Sequence, residues 1–377
     1  MRRIRILVVD DAVVVRRLVT DALASDPLIE VVGAAANGRI ALAKIPQVNP
    51  DLVTLDVEMP VMDGLETLRA IRKEHPRLPV IMFSTLTERG AATTLDALAL
   101  GANDYVTKPA NVVSVVAALE RVRMELIPRA KALCASVAGL SDPTLMPQRR
   151  APRAIKLPPR PLVAPQNVHV VAIGVSTGGP NALAEVIPQL PADFPVPVLI
   201  VQHMPPVFTK LLAERLTVKS QIPVEEAKFG RVLQPGHVWM APGDFHMEVE
   251  RQGPTARIKT HQGPPENSCR PAVDVLFRSV AETYGGAALA VIMTGMGQDG
   301  LRGCEEIRAV GGQVLAQDEA SSVVWGMPGF VANAGLADKV LPLGELPGEI
   351  VRRVERGRSR FAGCPSPVRS ARCSGDL

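Results

Sequence analysis

The feature that most constrains the fold of this chain is a repeated alternation between short apolar runs and segments of helical periodicity. Five apolar runs in the first third of the chain have the length of β-strands, at residues 4–9, 29–34, 51–55, 79–83 and 104–106. Helix-period segments separate them, for example residues 13–24 and 64–74. Because parallel strands need a crossover between them, this alternation predicts a doubly wound α/β unit, a parallel sheet with helices on both faces.

The same alternation returns in the second half of the chain. Four further apolar runs have the character of buried strands, at residues 168–175, 198–202, 287–293 and 312–316. Between the second and third of these runs, the segment HVWMAPGDFHMEVE predicts a β-hairpin that turns at Pro242 and Gly243. The second half is therefore predicted to form another doubly wound α/β domain that carries a β-hairpin.

The domain boundaries follow from the positions of proline, arginine and polar residues. A chain of 377 residues exceeds one ordinary domain, and residues 123–167 form a basic, proline-rich stretch that predicts a linker. The first part of that stretch, 121–135, is also compatible with a longer last helix of the first domain. Residues 357–377 are polar and basic and predict a disordered tail. The predicted domains are therefore 1–122 and 168–356.

Composition narrows the class of protein. Hydrophobic residues make up 47% of the chain but aromatics only 3%, which suits buried parallel strands built from aliphatic residues. The net charge of +4 arises largely from arginines in the predicted linker and tail, so no nucleic-acid partner is expected. No apolar run approaches membrane-spanning length, and Arg5, Asp10 and Asp11 break the N-terminal run, so we expect no signal peptide and no membrane-embedded segment. The five scattered cysteines predict reduced thiols in a cytoplasmic protein, and neither they nor the histidines show zinc-ligand spacing.

Polar and charged residues follow several predicted strands of the first domain. Asp10 and Asp11 stand where the first apolar run ends, and Asp56 stands where the third ends. The carboxyl ends of parallel strands line one crevice, so these carboxylates converge and repel one another unless they share a cation such as Mg²⁺. Ser84 and Lys108 follow two further strands. A lone aspartate there would more often be a helix cap, but the full set predicts a site that can hold an aspartyl phosphate.

A serine, a histidine and an aspartate follow three predicted strands of the second domain. Ser176 lies in the glycine-rich turn GVSTGGP, His203 follows LIVQ, and Asp299 lies in the loop MTGMGQDG. Taken alone, each has a common alternative role, as a phosphate-binding turn, an interior histidine or a turn-forming aspartate. Together they predict a nucleophile, a base that takes its proton and a carboxylate that orients the base. Their order along the chain differs from that of ordinary α/β-hydrolases, although GVSTG fits the GxSxG pattern.

Residues 1 to about 122 resemble the receiver domains of bacterial response regulators, because DD, D, S and KP each follow a separate predicted strand. The resemblance implies a sheet with the strand order 2-1-3-4-5 and a histidine kinase that phosphorylates Asp56. It implies a Mg²⁺ site made of three carboxylates and one backbone carbonyl, those of Asp10, Asp11, Asp56 and Glu58. It also implies three residues that sense the phosphoryl group: Ser84, Lys108 and the rotating aromatic Tyr105.

Residues from about 168 to 351 closely resemble the catalytic domain of chemotaxis protein-glutamate methylesterases, the CheB family. Six segments carry the resemblance: GVSTGGP, QHMPPVFTKLLAERL, GHVWMAPGDFHM, RPAVDVLF, MTGMGQDG and AQDEASSVVWGMP. The resemblance implies Ser176 as nucleophile, His203 as general base and Asp299 as orienting carboxylate, with no cofactor for the esterase. It implies oxyanion donors among the backbone N–H groups near Thr177 and Met296.

The two resemblances together imply a hydrolase that is activated by phosphorylation. Its implied substrates are methylated glutamates, and glutamines, on the long helical bundle of chemoreceptors. We expect the unphosphorylated receiver to pack over the sheet edge that carries Ser176 and to hinder entry of a receptor helix. Cys269, in the segment NSCRPAVD, lies outside the triad motifs and is expected to leave the chemistry untouched and to affect receptor contact at most. The alternatives are a hydrolase of another ester or amide, a DNA-binding response regulator and a catalytically silent scaffold.

Overall fold

The computed structural model describes residues 2–109, 114–135 and 167–356 of the 377-residue chain. The first unit consists of β1 (Ile4–Val9), α1 (Val13–Ala24), β2 (Ile29–Ala35), α2 (Gly38–Val48), β3 (Leu52–Asp56), α3 (Gly64–Glu74), β4 (Val80–Ser84), α4 (Glu88–Ala99), β5 (Asp104–Thr107) and α5 (Val115–Leu133). The strands pair in parallel in the order β2-β1-β3-β4-β5, which confirms the predicted topology.

Most helices of the first unit begin at residues whose side chains accept backbone hydrogen bonds. Asn37, Asp63, Thr87 and Ser114 each cap the first turn of the helix that follows. The cap at Asp63 is reciprocal, because the Glu66 carboxylate accepts from the backbone N–H of Asp63 in return. Such caps fix where each helix begins and therefore help to place the loops that follow the strands.

Helix α5 extends beyond residue 122, which agrees with the longer last helix that the sequence allowed over residues 121–135. It continues to Leu133, past the predicted boundary at residue 122 and into the stretch predicted as linker. Pro128 lies inside it, yet an apolar stripe with four-residue spacing holds it against the core of the first unit. That stripe consists of Val122, Leu126, Ala130 and Cys134. The rest of the predicted linker, 136–166, and the predicted tail, 357–377, lie outside the described residues.

The second unit begins with β6 (Val170–Val175), α6 (Gly179–Val186), β7 (Val198–Gln202), α7 (Phe208–Lys219), β8 (Val224–Glu226) and β9 (Val238–Met240). It continues with β10 (His246–Gln252), β11 (Thr255–His261), α8 (Val273–Tyr284), β12 (Ala288–Ile292), α9 (Leu301–Ala309), β13 (Gln313–Gln317), α10 (Met327–Asn333), β14 (Lys339–Leu341) and α11 (Leu346–Glu355). A parallel sheet runs in the order β14-β13-β12-β6-β7-β9-β8, which confirms the second α/β domain. No helix within the described ranges has both the length and the apolar character needed to cross a bilayer.

The predicted β-hairpin at Pro242 and Gly243 is wrong. The strand before these residues, β9, joins the parallel sheet between β7 and β8, because Val238–Met240 is buried along its whole length. The hairpin lies one connection later, where β10 and β11 pair antiparallel. Its tight turn contains Gly253, whose φ of 60° lies in the left-handed region that favours glycine. The apolar run before Pro242 was therefore wrongly taken as the first strand of the hairpin, and the turn at Pro242 and Gly243 as its tight turn.

Candidate active site

The three residues predicted for serine chemistry follow neighbouring strands of the second sheet. Because β6 lies between β12 and β7, the carboxyl ends of these strands open into one crevice. Ser176 follows β6 directly, His203 follows β7 directly, and Asp299 lies in the loop between β12 and α9. Ser176 and His203 line the same small cavity, and His203 contacts Asp299. The structure therefore brings all three to one edge of the sheet.

Asp299 is buried and held by several hydrogen bonds. Its Oδ2 lies 2.8 Å from His203 Nε2 and accepts from the backbone N–H of Val273 at 2.7 Å. Its Oδ1 accepts from the N–H of Asp274 at 3.0 Å and from Asn267 Nδ2 at 2.9 Å. Burial alone would raise the pKa of Asp299, but the bonds from His203 and from the backbone groups lower it. The group therefore stays a charged carboxylate that faces the imidazole.

The contact with Asp299 decides which nitrogen of His203 can act as a base. A carboxylate only accepts, so His203 donates Nε2–H to Asp299, and the lone pair of the neutral ring lies on Nδ1. That Nδ1 lies 3.6 Å from Cys269 Sγ. Burial alone would lower the pKa of His203, but Cys269 and the Asp299 carboxylate raise it to about 10, so the ring must lose its Nδ1 proton before that nitrogen can act as a base.

The position of Cys269 opposes the expectation that it leaves the chemistry untouched, because its Sγ lies 3.6 Å from His203 Nδ1. The loop that carries it is tied to Asp299 on both sides, through Asn267 before it and through the N–H groups of Val273 and Asp274 after it. These bonds carry Cys269 to the imidazole of the candidate base. The thiol is therefore part of the site.

Sequence reasoning also missed two residues that support Asp299. Asn267 Nδ2 donates to Asp274 Oδ2 at 2.8 Å as well as to Asp299. Burial, together with the neighbouring Asp299 charge, raises the pKa of Asp274 to about 6. Both residues lie in NSCRPAVD, whose polar positions were a signal of a role, but nothing in the segment indicates which carboxylate they contact.

Ser176 occupies a tight turn between β6 and α6. Its carbonyl accepts from Gln202 Nε2 at 3.0 Å, and Gly178, with a φ of 77°, allows the chain to turn there. A Cβ placed on Gly295 would lie 2.8 Å from Ser176 Cβ, so glycine lets that loop approach the serine. Among the described residues, Ser176 Oγ has no hydrogen-bond partner. The bond from Ser176 to His203 that catalysis needs is therefore not formed in this arrangement.

The predicted oxyanion donors lie beside Ser176. Thr177 follows it in the same turn, and Met296 follows Gly295, the residue that packs against the serine. In the part of the chain that the structure describes, the backbone N–H groups of Thr177 and Met296 donate to no other group. They are available to an oxyanion, and this assignment stays a prediction.

The first unit covers this crevice. Thr177 Oγ1 donates to Asp104 Oδ2 across the two units at 2.8 Å, in a buried position. Tyr105 stacks on Phe208 with ring centroids 4.7 Å apart and planes inclined by 9°. The cavity that holds the candidate nucleophile and base is lined from the first unit by Leu98, Asp104, Tyr105 and Arg129. These residues therefore form a roof over the serine.

Polar contacts extend the same interface along α6 and α7. Arg215 Nη1 lies 2.8 Å from Asp96 Oδ1, and its Nη2 donates to the carbonyl of Ala92 at 2.7 Å. Asn181 Nδ2 donates to the carbonyl of Leu98 at 2.8 Å. The interface thus combines a buried aromatic contact with a polar rim, a composition that suits domains able to separate.

The acidic residues predicted for phosphate chemistry converge at the ends of β1 and β3. Oxygen atoms of Asp10, Asp11 and Asp56 lie within 4.8 Å of one another. Lys108 Nζ lies 3.0 Å from Asp10 Oδ2 and 2.7 Å from Asp56 Oδ2, so its ammonium bridges two buried carboxylates. Burial raises the pKa of Asp56 to about 6 against the opposing effect of Lys108, and the charge of Asp10 adds to the increase.

The other residues predicted for this site have separate partners. Ser84 Oγ is buried and accepts from Thr94 Oγ1 at 2.6 Å, so helix α4 engages its hydroxyl. The backbone N–H of Glu58 donates to Asp56 Oδ1 at 3.4 Å. Tyr105 is buried, which raises the pKa of its hydroxyl well above the usual value. The structure therefore brings Lys108 to Asp56 but leaves Ser84 directed at α4.

Comparison with known proteins identifies both units. A family model described as CheB methylesterase matches residues 171–350, and one described as response regulator receiver domain matches residues 6–120. The chain is 57% identical over 354 residues to a protein-glutamate methylesterase/protein-glutamine glutaminase of Trichodesmium erythraeum, covering 94% of this chain and 100% of that protein. The chain belongs to the CheB family. The resemblances stated from the sequence are thereby confirmed.

Other members of the CheB family are also similar. A protein of the same name from Nocardioides sp. is 54% identical over 359 residues, covering 95% of this chain and 97% of its own. The crystal structure of the catalytic domain of Thermotoga maritima CheB methylesterase is 43% identical. It covers 50% of this chain and 99% of that chain, with a TM-score of 0.49.

The receiver domain of this CheB-family chain implies phosphorylation that depends on Mg²⁺. Its donor set fits the ion, because Mg²⁺ prefers oxygen ligands and usually takes one or two carboxylates together with phosphate oxygens. Asp10, Asp11 and Asp56 bring carboxylate oxygens together at one point, and the like charges of the buried pair already attract the ammonium of Lys108.

Proposed function

We propose that this chain is a phosphorylation-activated serine hydrolase that removes methyl esters from glutamate side chains of chemoreceptors and releases methanol. The same site would deamidate receptor glutamines. The observation that carries the proposal is the His203–Asp299 pair beside Ser176 at the ends of neighbouring strands. The printed name of the relatives, protein-glutamate methylesterase/protein-glutamine glutaminase, supports this choice of substrate.

The reaction passes through an acyl-enzyme. Ser176 Oγ attacks the ester carbonyl carbon while His203 Nδ1 takes the hydroxyl proton, and the N–H groups of Thr177 and Met296 stabilise the resulting oxyanion. Collapse of this intermediate breaks the bond to the methoxy oxygen, which leaves as methanol with the proton held by His203. A water molecule then gives a proton to His203 and attacks the acyl carbon. His203 passes a proton to Ser176 Oγ as the acyl bond breaks, which releases the glutamate carboxyl and restores the Ser176 hydroxyl.

Asp299 and Cys269 set the conditions for these proton transfers. Asp299 keeps the Nε2–H tautomer and stabilises the imidazolium that forms. In the described state, however, Nδ1 contacts Cys269 and not Ser176. Catalysis therefore requires Nδ1 to exchange the thiol for the serine. The turn that carries Ser176 is tied to the receiver through the next residue, Thr177, so the receiver restrains this exchange.

Phosphorylation acts through the same interface. A phosphoryl group on Asp56 would draw the ammonium of Lys108 and the hydroxyl of Ser84 towards it, at the expense of their present bonds to Asp10 and α4. Tyr105 lies on β5, which pairs with the strand that ends at Ser84, and stacks on Phe208 of the hydrolase domain. A change in the position of Tyr105 would weaken the roof over the crevice and admit a receptor helix.

Phosphorylation of Asp56 needs a metal ion and a phosphodonor. Asp11, Asp56 and the backbone carbonyl of Glu58 would hold Mg²⁺, with Asp10 nearby, and the bound ion would neutralise charge on the transferred phosphoryl group. The proposed phosphodonor is a chemotaxis histidine kinase.

The expected location is the cytoplasm, a reducing compartment, which agrees with the free thiols of Cys134, Cys269 and Cys304.

The deciding experiment is methanol release from methylated receptor membranes, measured with and without a phosphodonor. Ser176→Ala should abolish turnover, by a factor of roughly 10⁶ as for nucleophile removal in comparable triads. Asp56→Ala should keep the basal rate and lose the response to the phosphodonor. Full activity of Ser176→Ala would refute the serine mechanism. Hydrolysis of small esters without methanol release from receptors would favour the alternative of a different substrate.

A further inference from the structure

A set of metal-ligand atoms surrounds the imidazole of the candidate base. His203, Cys269 and Asp299 bring a nitrogen, a sulfur and an oxygen within 4.8 Å of one another. Thiolate sulfur and imidazole nitrogen are preferred ligands of Zn²⁺. The prediction that no zinc-ligand spacing exists rested on sequence proximity, whereas Cys269 lies 66 positions from His203 and Asp299 lies 96 positions from it. The fold, and not a motif, assembles this set.

The separation of the two softer ligands fits a shared ion. Cys269 Sγ lies 3.6 Å from His203 Nδ1. A Zn²⁺ ion about 2.3 Å from sulfur and about 2.0–2.1 Å from nitrogen, at a tetrahedral angle, holds these two atoms about 3.5–3.6 Å apart. The two side chains are therefore already spaced for chelation.

The third residue of the set prepares the histidine for this role. Histidines that bind metals usually donate their other N–H to a carboxylate, which fixes the tautomer and raises the basicity of the ligating nitrogen. Here Asp299 accepts from Nε2 at 2.8 Å, so in the neutral ring the lone pair of Nδ1 is directed at the thiol. The arrangement that serves general base catalysis is thus also the arrangement of a metal ligand.

The charges around the thiol favour a cation. The nearest arginines along the chain are neutralised, because Arg270 is paired with Asp244 and Arg278 with Glu266. The carboxylate of Asp299 has no ion-pair partner other than the imidazole among the described residues. Cys269 is partly exposed, so an ion can reach it from solvent.

We propose that Cys269 Sγ and His203 Nδ1 bind Zn²⁺, or a divalent ion of similar softness, and that the bound ion inhibits hydrolysis. The S–Zn and N–Zn bonds form as the protons of the thiol and of Nδ1 are released to solvent, and water completes the coordination. Inhibition follows because the ion occupies the lone pair that takes the proton of Ser176. Binding follows from the ligand geometry alone, whereas inhibition also rests on the proposed role of His203.

The first test measures methanol release by the full chain, with a phosphodonor, over a series of Zn²⁺ concentrations. Each rate is normalised to the rate of the same variant without Zn²⁺. Cys269→Ser should raise the half-inhibiting concentration at least about tenfold, since even loss of an outer-shell partner costs about 10–100-fold in affinity. Equal inhibition of wild type and Cys269→Ser would overturn the proposal.

Two control variants exclude other routes of inhibition. Cys364 and Cys373, which lie outside the described residues, are replaced together by serine, and the half-inhibiting concentration should stay at the wild-type value. The basal activity of Asp56→Ala should be inhibited at the same concentration as that of the unphosphorylated wild type, which shows that the ion does not act at the receiver. A shift in either control would reject Cys269 as the site.

The second test measures binding without turnover. Co²⁺ added to the full chain in place of Zn²⁺ should give a thiolate-to-metal charge-transfer absorption that Ser176→Ala retains and Cys269→Ser loses. Absence of this absorption in the wild type would reject the metal site. Its presence without inhibition of methanol release would leave the metal site standing and would refute the proposed role of His203.

Discussion

Arg215 offers the sharpest test of how the receiver restrains the hydrolase. It lies on α7 of the hydrolase domain and contacts α4 of the receiver twice, through Asp96 Oδ1 at 2.8 Å and through the carbonyl of Ala92 at 2.7 Å. Arg215→Ala removes both contacts and leaves Ser176, His203 and Asp299 untouched. If the closed form is inactive, this change should activate the unphosphorylated protein.

The size of the effect follows from the exposure of the two contacts. The Asp96 side chain is 55% exposed, so solvent screening limits the ion pair to about 0.2–1 kcal/mol. The hydrogen bond to the carbonyl of Ala92 is partly buried and contributes about 1 kcal/mol. Together the contacts stabilise the closed form by about 1–2 kcal/mol, which corresponds to about a 5–30-fold change in the opening equilibrium.

The assay compares initial rates of methanol release from methylated receptor membranes with and without a phosphodonor. Arg215→Ala should raise the basal rate by that factor while the closed form dominates, and the fully phosphorylated rate should stay the same. The matched control is Lys210→Ala on the same helix, because among the described residues Lys210 pairs only with exposed Glu214, at 3.9 Å. An unchanged basal rate in Arg215→Ala, or an equal rise in Lys210→Ala, would refute the reasoning.

Three further changes test the site and its cover. His203 must be neutral to take a proton, and Cys269 is among the groups that raise its pKa. Cys269→Ala should therefore move the acidic limb of the kcat/KM profile to lower pH, and an unmoved limb contradicts this. Asp299→Asn should lower kcat about 10⁴-fold, because an amide no longer fixes the required tautomer of His203. Thermal unfolding of the variant serves as the control that it is folded. Thr177→Val removes the hydrogen bond to Asp104 and should raise the basal rate of methanol release. An unchanged basal rate would show that this bond does not restrain the hydrolase.

The parts of the fold that the sequence predicted well depend on local chemistry. Strand β1 and helices α1 and α3 begin and end at the predicted residues, because their apolar runs stop at charged or capping residues. The hairpin was misplaced because the parallel strand Val238–Met240 and the antiparallel pair β10 and β11 differ mainly in their long-range partners. The sequence left the end of α5 open, because Pro128 interrupts the helical pattern and the burial of the apolar stripe around it depends on the sheet.

In the candidate site, too, the sequence predicted what depends on local pattern and could not predict what depends on long-range contacts. Sequence patterns predicted that Ser176, His203 and Asp299 follow strands of one sheet, since each stands at the end of an apolar run or in a glycine-rich loop. They could not predict that Cys269 meets the imidazole, because that contact depends on how the loop before α8 folds onto Asp299. Nor could they predict that Asp104 reaches Thr177, because the fit between two domain surfaces has no local signature.

In these contacts, catalysis and its regulation both depend on Nδ1 of His203. Asp299 occupies Nε2 of His203, so every competitor for the base must act at Nδ1. Cys269 holds that nitrogen in the described state, and Ser176 must replace it before an ester can be attacked. The receiver restrains the approach of Ser176 to this nitrogen through Thr177. A metal ion bound by the Cys269 thiol would instead hold the nitrogen away from Ser176. Phosphorylation and metal binding would therefore regulate the same proton transfer from opposite sides of one imidazole.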